Sequence, residues 1–221
     1  MIATEDDYED AFLNLFTTTD YILNLYHHKD FTVNAYCSKA ASTDCDRTGT
    51  VLWPATHVLL EYLLLNITTV FSSCSKALEL GAGIALPSLF VKKYCSVDHV
   101  FATDGEREIV DLISKNANVN CLSIESHILE WERDNANRFS LEYGKFDLVY
   151  GADVLYDPTC FTPLFETVEE LITDDGEAVI AYKKRSNVAH ELLFEALDRC
   201  LLHFSLLSFP EDCFIIILKK R

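Results

Sequence analysis

Residues 76–105 read KALELGAGIALPSLFVKKYCSVDHVFATDG, and their order decides the fold. Ala77 to Leu80 form a short apolar-weighted run that ends in Gly81-Ala82-Gly83. Leu86 to Lys93 has helical character, and a second apolar run, Val100 to Thr103, stops at Asp104-Gly105. Strand, glycine turn, helix, strand and acid, in that order, make half of a doubly wound nucleotide-binding fold. Gly81 and Gly83 let backbone approach a ligand where a Cβ would intrude. The helix that follows aims unpaired N–H groups and a positive dipole end at that ligand. Asp104, at the tip of the second strand, is placed to accept hydrogen bonds from both hydroxyls of a ribose.

The turn itself selects among nucleotides. A pyrophosphate fingerprint needs a third glycine at position 86, where this chain has Leu86 followed by Pro87. Glu79 stands two residues before Gly81, where a carboxylate repels pyrophosphate and pairs with a cation. S-adenosylmethionine has a sulfonium, an amino group and no phosphate, so it suits this turn better than a nicotinamide dinucleotide. An ordinary tight turn in an α/β protein is the competing explanation, because small-residue turns join many strands to helices.

Composition bounds the remaining choices. A chain of 221 residues suits one α/β domain, here residues 1–221, with 1–50 as an N-terminal extension or cap and 51–221 as the core. A net charge of −17 repels phosphate backbones, which disfavours nucleic acid and favours a basic protein as partner. The eight cysteines contain no C-x-x-C pair and no zinc-like spacing with histidine, so no metal site is expected. Reduced thiols, an acidic start (MIATEDDYED) and no apolar run near ~20 residues fit a monomer of the cytoplasm, and of the nucleus as well, away from membranes.

Upstream of the decisive stretch, the apolar residues from Phe12 to Tyr26 fall at mixed helical spacing, with Thr17 to Asp20 as a break. They read as one or two short helices capping the core. Phe31, Val33, Ala35 and Cys37 alternate as in a half-buried strand, and Ser38 to Arg47 is loop-like. Leu52-Trp53-Pro54 leads into an apolar helix from Ala55 to about Leu65. Trp53 is either a core aromatic or an indole at the mouth of a site.

Downstream, Glu106 to Asn118 reads as a helix and Ile124 to Trp131 as a third strand. Trp131 is placed to border an adenine, or else to pack on Arg133 or Phe139. Phe146 to Gly151 is a continuous apolar run, as a buried central strand requires. It ends at Ala152-Asp153-Val154-Leu155-Tyr156. Asp157 and Pro158 suit the start of a helix running to Leu171. Asp153 lies at the carboxyl end of a central strand, where open α/β sheets keep their ligand crevice; a loop acid bonding nearby N–H groups is the plainer alternative. Thr173 to Gly176 reads as a turn, Glu177 to Tyr182 as a strand and Val188 to Cys200 as a helix. Leu201–Phe209 and Phe214–Lys219 read as a closing antiparallel hairpin. Lys183-Lys184-Arg185, the basic cluster of this acidic chain, reads as a solvated strand end, with contact to an acidic substrate loop as the other reading.

LWPA (52–55), ELGAG (79–83), TDG (103–105), LEW (129–131) and GADVLYDP (151–158) fall in the order seen in eukaryotic seven-β-strand methyltransferases. The branch resembled contains protein-lysine methyltransferases of calmodulin, elongation factors and chaperones (methyltransferase-like family 16 type). The resemblance covers roughly residues 50–185, and its most specific part is the D-x-x-Y element. It implies a Rossmann-like, doubly wound, seven-stranded and mostly parallel sheet with helices on both faces and a C-terminal antiparallel hairpin. A short N-terminal helical or β extension would precede it.

Residue by residue, the resemblance implies that Trp53 packs at the S-adenosylmethionine site and that Gly81, Ala82 and Gly83 meet the methionine portion. Glu79 would face the cation, Asp104 with Gly105 would hold the ribose, Trp131 would border the adenine and Ala152 backbone would line the pocket. Asp153 and Tyr156 would face the incoming amine. Many members carry glycine where Ala85 stands, and IALP resembles a sub-branch with a similar V-S-L-P string, which leaves arginine open beside lysine. The expectation is a protein-lysine methyltransferase that releases S-adenosylhomocysteine. The alternatives are an arginine-directed or small-molecule enzyme and a non-catalytic scaffold.

Overall fold

The computed structural model describes residues 21–38 and 49–221. Seven strands form one sheet: β3 (Lys76–Leu80), β4 (His99–Asp104), β5 (Glu125–Ile128), β6 (Phe146–Ala152), β7 (Ile172–Lys183), β8 (Leu202–Phe209) and β9 (Cys213–Lys220), in the spatial order β5-β4-β3-β6-β7-β9-β8. The five strands from β5 to β7 are parallel, and β9 runs antiparallel to both its neighbours. The expected doubly wound sheet with its closing hairpin is therefore present. The order reverses between β3 and β6, and a crevice opens at the carboxyl ends of the strands at such a switch point.

Alternation within the buried strands sends side chains to two helical layers. Leu78 and Leu80 join the core under α5 (Arg133–Tyr143), α6 (Phe161–Leu171) and α7 (Asn187–Arg199). Ala77, Leu148 and Tyr150 join the core on the other face, under α1 (Pro54–Leu65) and α3 (Leu86–Tyr94). Ala102 packs there against Ile109 and Ile113 of α4 (Arg107–Val119). A single turn, α2 (Ile67–Val70), follows α1. Both faces of the central strands are covered, which is why they read as continuous apolar runs rather than alternating ones.

The extension departs from its expected helices. Tyr21–His28 is a strand, β1, paired antiparallel with β2 (Phe31–Ser38) in a separate two-stranded sheet; residues 1–20 lie outside the described residues. A two-residue turn at Lys29-Asp30, with Lys29 at φ 51°, fixes the pairing. The other edge of β2 is satisfied by side chains. Asn116 accepts from the Tyr36 N–H (2.7 Å), Asn120 accepts from the Asn34 N–H (2.9 Å), and the Tyr94 hydroxyl accepts from the Thr32 N–H (3.0 Å). Asn116 on α4 and Asn120 at its C-cap are one turn apart, so the end of the helix offers an amide ladder in place of a neighbouring strand.

Two further readings are corrected. Thr173 to Gly176 does not separate two elements but lies within β7, whose pairing jumps from Phe146 opposite Ile172 to Leu148 opposite Glu177. Gly176 is required in this bulge because a Cβ would come within 3.0 Å of the Phe146 and Asp147 carbonyl oxygens. The third strand stops at Ile128 rather than Trp131: the Leu129 N–H still bonds the Asp104 carbonyl (2.9 Å), after which the chain turns toward α5.

Candidate active site

The loop between β3 and α3 is built from left-handed backbone. Gly81 (φ 59°), Gly83 (φ 52°) and Ala85 (φ 59°) all lie in that region, which glycine enters at no steric cost and alanine does not. A Cβ on Gly81 would stand 2.8 Å from Val154 and 3.0 Å from the Trp131 indole. One on Gly83 would stand 2.9 Å from the Gly49 carbonyl oxygen. The loop is tied down by the Ala82 N–H bonding the Thr103 carbonyl (2.9 Å) and by the Thr103 hydroxyl donating to the Glu79 carbonyl (2.8 Å).

Two carboxylates stand behind this backbone. Glu79 is buried and accepts the Ser88 N–H (2.9 Å), satisfying an orphan donor in the first turn of α3 where Ala85 has no capping side chain. Burial pushes its carboxyl up to about 8, with the nearby Asp104 charge adding to the rise and the bonds from Ser88 opposing it. Asp104 accepts from the Gly83 N–H (3.1 Å), and burial raises its pKa against the pull of that bond. Among the described residues neither carboxylate is ion-paired. A ligand with positive charge and hydroxyl groups complements this wall, and a phosphate does not.

The opposite wall is formed by the ends of β6 and β7. Asp153 follows β6 in left-handed backbone (φ 56°), a conformation that aspartate tolerates, and its N–H bonds the Ala181 carbonyl (2.8 Å). Its carboxylate is drawn into the structure. Oδ2 accepts the Ala55 N–H at the start of α1 (2.8 Å), and Oδ1 accepts the Lys183 N–H (3.2 Å) and faces the Arg185 guanidinium (3.4 Å). Of about four lone-pair positions on a carboxylate, one on Oδ2 stays open. The plainer sequence reading, an acid bonding nearby N–H groups, thus describes much of what Asp153 does. Tyr156 is 58% exposed at the mouth, and burial of part of its ring raises the phenol pKa, with Cys160 next in effect. Asp157 accepts the Thr159 N–H (2.9 Å) and starts a short turn, Pro158–Cys160, ahead of α6, the capping duty expected of it.

Between the two walls lies a cavity of about 600 Å³, within the range of small-molecule sites. It is lined by all eleven residues singled out in the sequence: Trp53, Glu79, Gly81, Ala82, Gly83, Asp104, Gly105, Trp131, Ala152, Asp153 and Tyr156. The lining also includes Thr56, Leu129, Glu130, Cys160 and Arg185, which sequence reasoning did not place there. The Arg185 guanidinium lies 5.3 Å from the centre of the Trp53 ring, so it turns into the site rather than ending β7 in solvent. Its presence in the basic cluster was the available signal; its partners are distant in the chain.

A sheet of this order, with a glycine loop after β3 and an acid ending β4, has the class I methyltransferase fold. The 16S rRNA N2 G1207 methyltransferase RsmC of T. thermophilus, solved with AdoMet and guanosine, superposes with a TM-score of 0.63. It shows 13% identity and covers 92% of this chain and 51% of that one, a likeness of fold alone. The chain belongs to the lysine methyltransferase family, whose model matches residues 39–199. It is 30% identical over 178 residues to the protein-lysine N-methyltransferase EFM3 of Chaetomium thermophilum, covering 74% of this chain and 51% of that protein. It is 27% identical to the mouse histone-arginine methyltransferase METTL23, covering 74% of this chain and 65% of the relative. The chain thus spans between half and two thirds of the length of these relatives.

Proposed function

We propose that this chain is an S-adenosylmethionine-dependent protein methyltransferase that acts on a lysine side chain of a specific protein. The observation that carries the reading is the pair of raised, unpaired carboxylates, Glu79 and Asp104, beside a left-handed glycine loop. That wall fits a cationic nucleoside. The family match and the likeness to EFM3 support lysine as the target.

In this reading Asp104 accepts the ribose hydroxyls, Gly81 to Gly83 bring backbone to the amino-acid portion, and Trp131 borders the adenine. Glu79, ionised by the ligand's positive charge, offsets that charge through the cavity wall. Bound S-adenosylmethionine would supply a sulfonium methyl to the acceptor nitrogen and leave as S-adenosylhomocysteine, the lysine ammonium having first lost a proton to solvent. The chain positions and desolvates the amine for this in-line displacement. A lysine ammonium has a reference pKa of about 10.4, and an apolar slot lowers it by disfavouring the charged form. The open position on Asp153 Oδ2 accepts an amine N–H and aims the lone pair, while the Tyr156 ring closes the slot at its mouth. A monomer of the cytoplasm and nucleus acting on a basic protein surface fits the charge of −17 and the unpaired cysteines of the described residues.

The test is incubation of the purified protein with tritiated S-adenosylmethionine and a lysate of its own cells. The expected result is a labelled protein band that disappears with Asp104→Ala, with the methyl group then mapped to lysine by mass spectrometry. Label that appears only in small molecules, or on arginine, would overturn the reading.

A further inference from the structure

The cavity is lined by five acidic side chains, Glu79, Asp104, Glu106, Glu130 and Asp153, and, among the described residues, by one cation, Arg185. Of the consecutive cations Lys183, Lys184 and Arg185, it is the one that lines the site. Its guanidinium lies 3.4 Å from Asp153 Oδ1 and 5.3 Å from the centre of the Trp53 ring, held between a carboxylate and an aromatic face. Asp153 is buried, and its other partners among the described residues are the Ala55 and Lys183 N–H groups. Those donors satisfy lone pairs but carry no net charge, so the balance of the carboxylate's charge falls to Arg185. That balance matters to an acceptor. An opposite charge within about 4–6 Å favours the charged form of an amine and raises its pKa. A lysine bound against an unbalanced Asp153 would be held as the ammonium, which has no lone pair to attack with.

We infer that Arg185 is a positioning residue that cancels the charge of Asp153, so that the acceptor lysine is held as the neutral amine. The inference rests on the protein-lysine methyltransferase reading and deepens it; Asp153 keeps its amine-facing role and Trp53 its place at the cofactor. With Arg185 on Oδ1, the open position on Oδ2 takes an amine N–H without stabilising an ammonium. Arginine suits the task because its guanidinium does not give up its proton, and its planar face on Trp53 keeps a half-exposed side chain from swinging into solvent. The other ionisable groups around Asp153 are Tyr156 and Cys160 after β6, Cys213 of β9, and Lys183 and Glu211, which act on the Cys213 thiol and do not line the cavity. The start of α1, Pro54 to Thr56, presents none. Across the cavity stand Glu79, Asp104, Glu106 and Glu130. Their carboxylates favour the ammonium as well, which leaves the guanidinium as the counterweight.

The probe is n-butylamine, isotopically labelled at the carbon next to nitrogen, whose NMR shift follows protonation of the amine. It is titrated with pH against protein saturated with S-adenosylhomocysteine, in the wild type, Arg185→Gln and Arg185→Lys. In the wild type the bound amine should lose its proton about one pH unit or more below the free amine. In Arg185→Gln the bound pKa should rise by about one unit, a tenfold larger share of ammonium at a given pH. Arg185→Lys keeps the charge but loses the planar face, and its bound pKa should stay with the wild type. The other ionisable groups are common to all three proteins, so the difference isolates position 185. Equal bound pKa values in the wild type and Arg185→Gln would overturn the inference. So would an equal rise in both variants, which would assign the effect to the stack on Trp53 rather than to charge. Calorimetry with S-adenosylhomocysteine should give affinities within about twofold in all three. A fall of about tenfold in Arg185→Gln with no change in the bound pKa would assign Arg185 to the cofactor and overturn the inference. A wild type that binds S-adenosylhomocysteine but not the amine would remove the amine-facing role of Asp153, and the inference with it. Failure to bind S-adenosylhomocysteine at all would instead remove the methyltransferase reading on which both stand.

Discussion

The two walls of the cavity are made differently. The wall proposed to hold the cofactor, at the ends of β3, β4 and β5, is mostly backbone: left-handed turns at Gly81, Gly83 and Ala85, with two carboxylates of raised pKa behind them. The wall proposed to face the acceptor, at the ends of β6 and β7, is mostly side chain: Asp153 joins residues 98 and 30 positions away in the sequence and holds Arg185 beside them. One wall is specified within a stretch of about one strand-turn-strand unit, the other only after the sheet has closed. Substitutions in the first should therefore act on cofactor affinity, and those in the second on acceptor handling and stability.

The largest expected effect is on the first wall. Asp104→Ala removes the proposed acceptor of two ribose hydroxyls; charge-assisted bonds contribute about 1.5–3 kcal/mol each, so affinity should fall about 100-fold or more. Because the carboxylate is held with a raised pKa, thermal melting of the empty protein should change little. A large loss of melting temperature with modest loss of affinity would show that Asp104 serves the fold instead. Gly81→Ala comes next. It adds a left-handed residue whose Cβ must displace Val154 and the Trp131 indole, a cost of about 1–3 kcal/mol. Melting and cofactor affinity should fall together; a variant melting like the wild type would contradict the close packing.

On the second wall, Asp153→Asn tolerates the same left-handed backbone but replaces one acceptor oxygen with a donor facing N–H groups. A stability loss of about 1–3 kcal/mol is expected, measured by urea unfolding, with methyl transfer impaired. Full stability would mean that the Ala55 and Lys183 bonds contribute nothing.

A smaller, pH-dependent effect belongs to Glu79. Folded, this carboxyl keeps its proton up to about pH 8; unfolded, only to its ordinary 4.5. Its contribution to stability is full below about 4.5 and is lost as the pH rises through about 8. Wild-type melting temperature should fall over that window relative to Glu79→Gln. Affinity for S-adenosylmethionine should rise with pH through the same range, as ligand and proton compete. Parallel melting curves for the two proteins would contradict a raised Glu79. Tyr156→Phe, at an exposed mouth, should change stability by less than about 0.5 kcal/mol and leave the cofactor untouched; a larger loss on melting would mean the hydroxyl is tied into the core.

The same contrast explains what the sequence made legible. The glycine turn, Asp104 and the buried strands each leave a local mark, and the local mark was sufficient. Tyr21 to Tyr26 carries apolar residues at spacings that satisfy a helix and a strand alike. Its strand form depends on β2, whose far edge is held by Asn116 and Asn120, remote in the chain. Thr173 to Gly176 has turn composition, yet parallel pairing with β6 absorbs it as a bulge. The helix Arg133–Tyr143 buries only Ala136 and Phe139 and so announces itself weakly. The second duties of Asp153 and the inward turn of Arg185 are tertiary facts, set by α1 and β7 meeting at the end of β6.

The most direct test of the divided cavity is a calorimetric titration of S-adenosylhomocysteine into the wild type, Asp104→Ala and Asp153→Asn. Single-site binding to the wild type is expected, with its loss in Asp104→Ala and its retention in Asp153→Asn. Binding that survives in Asp104→Ala, or disappears only in Asp153→Asn, would contradict it.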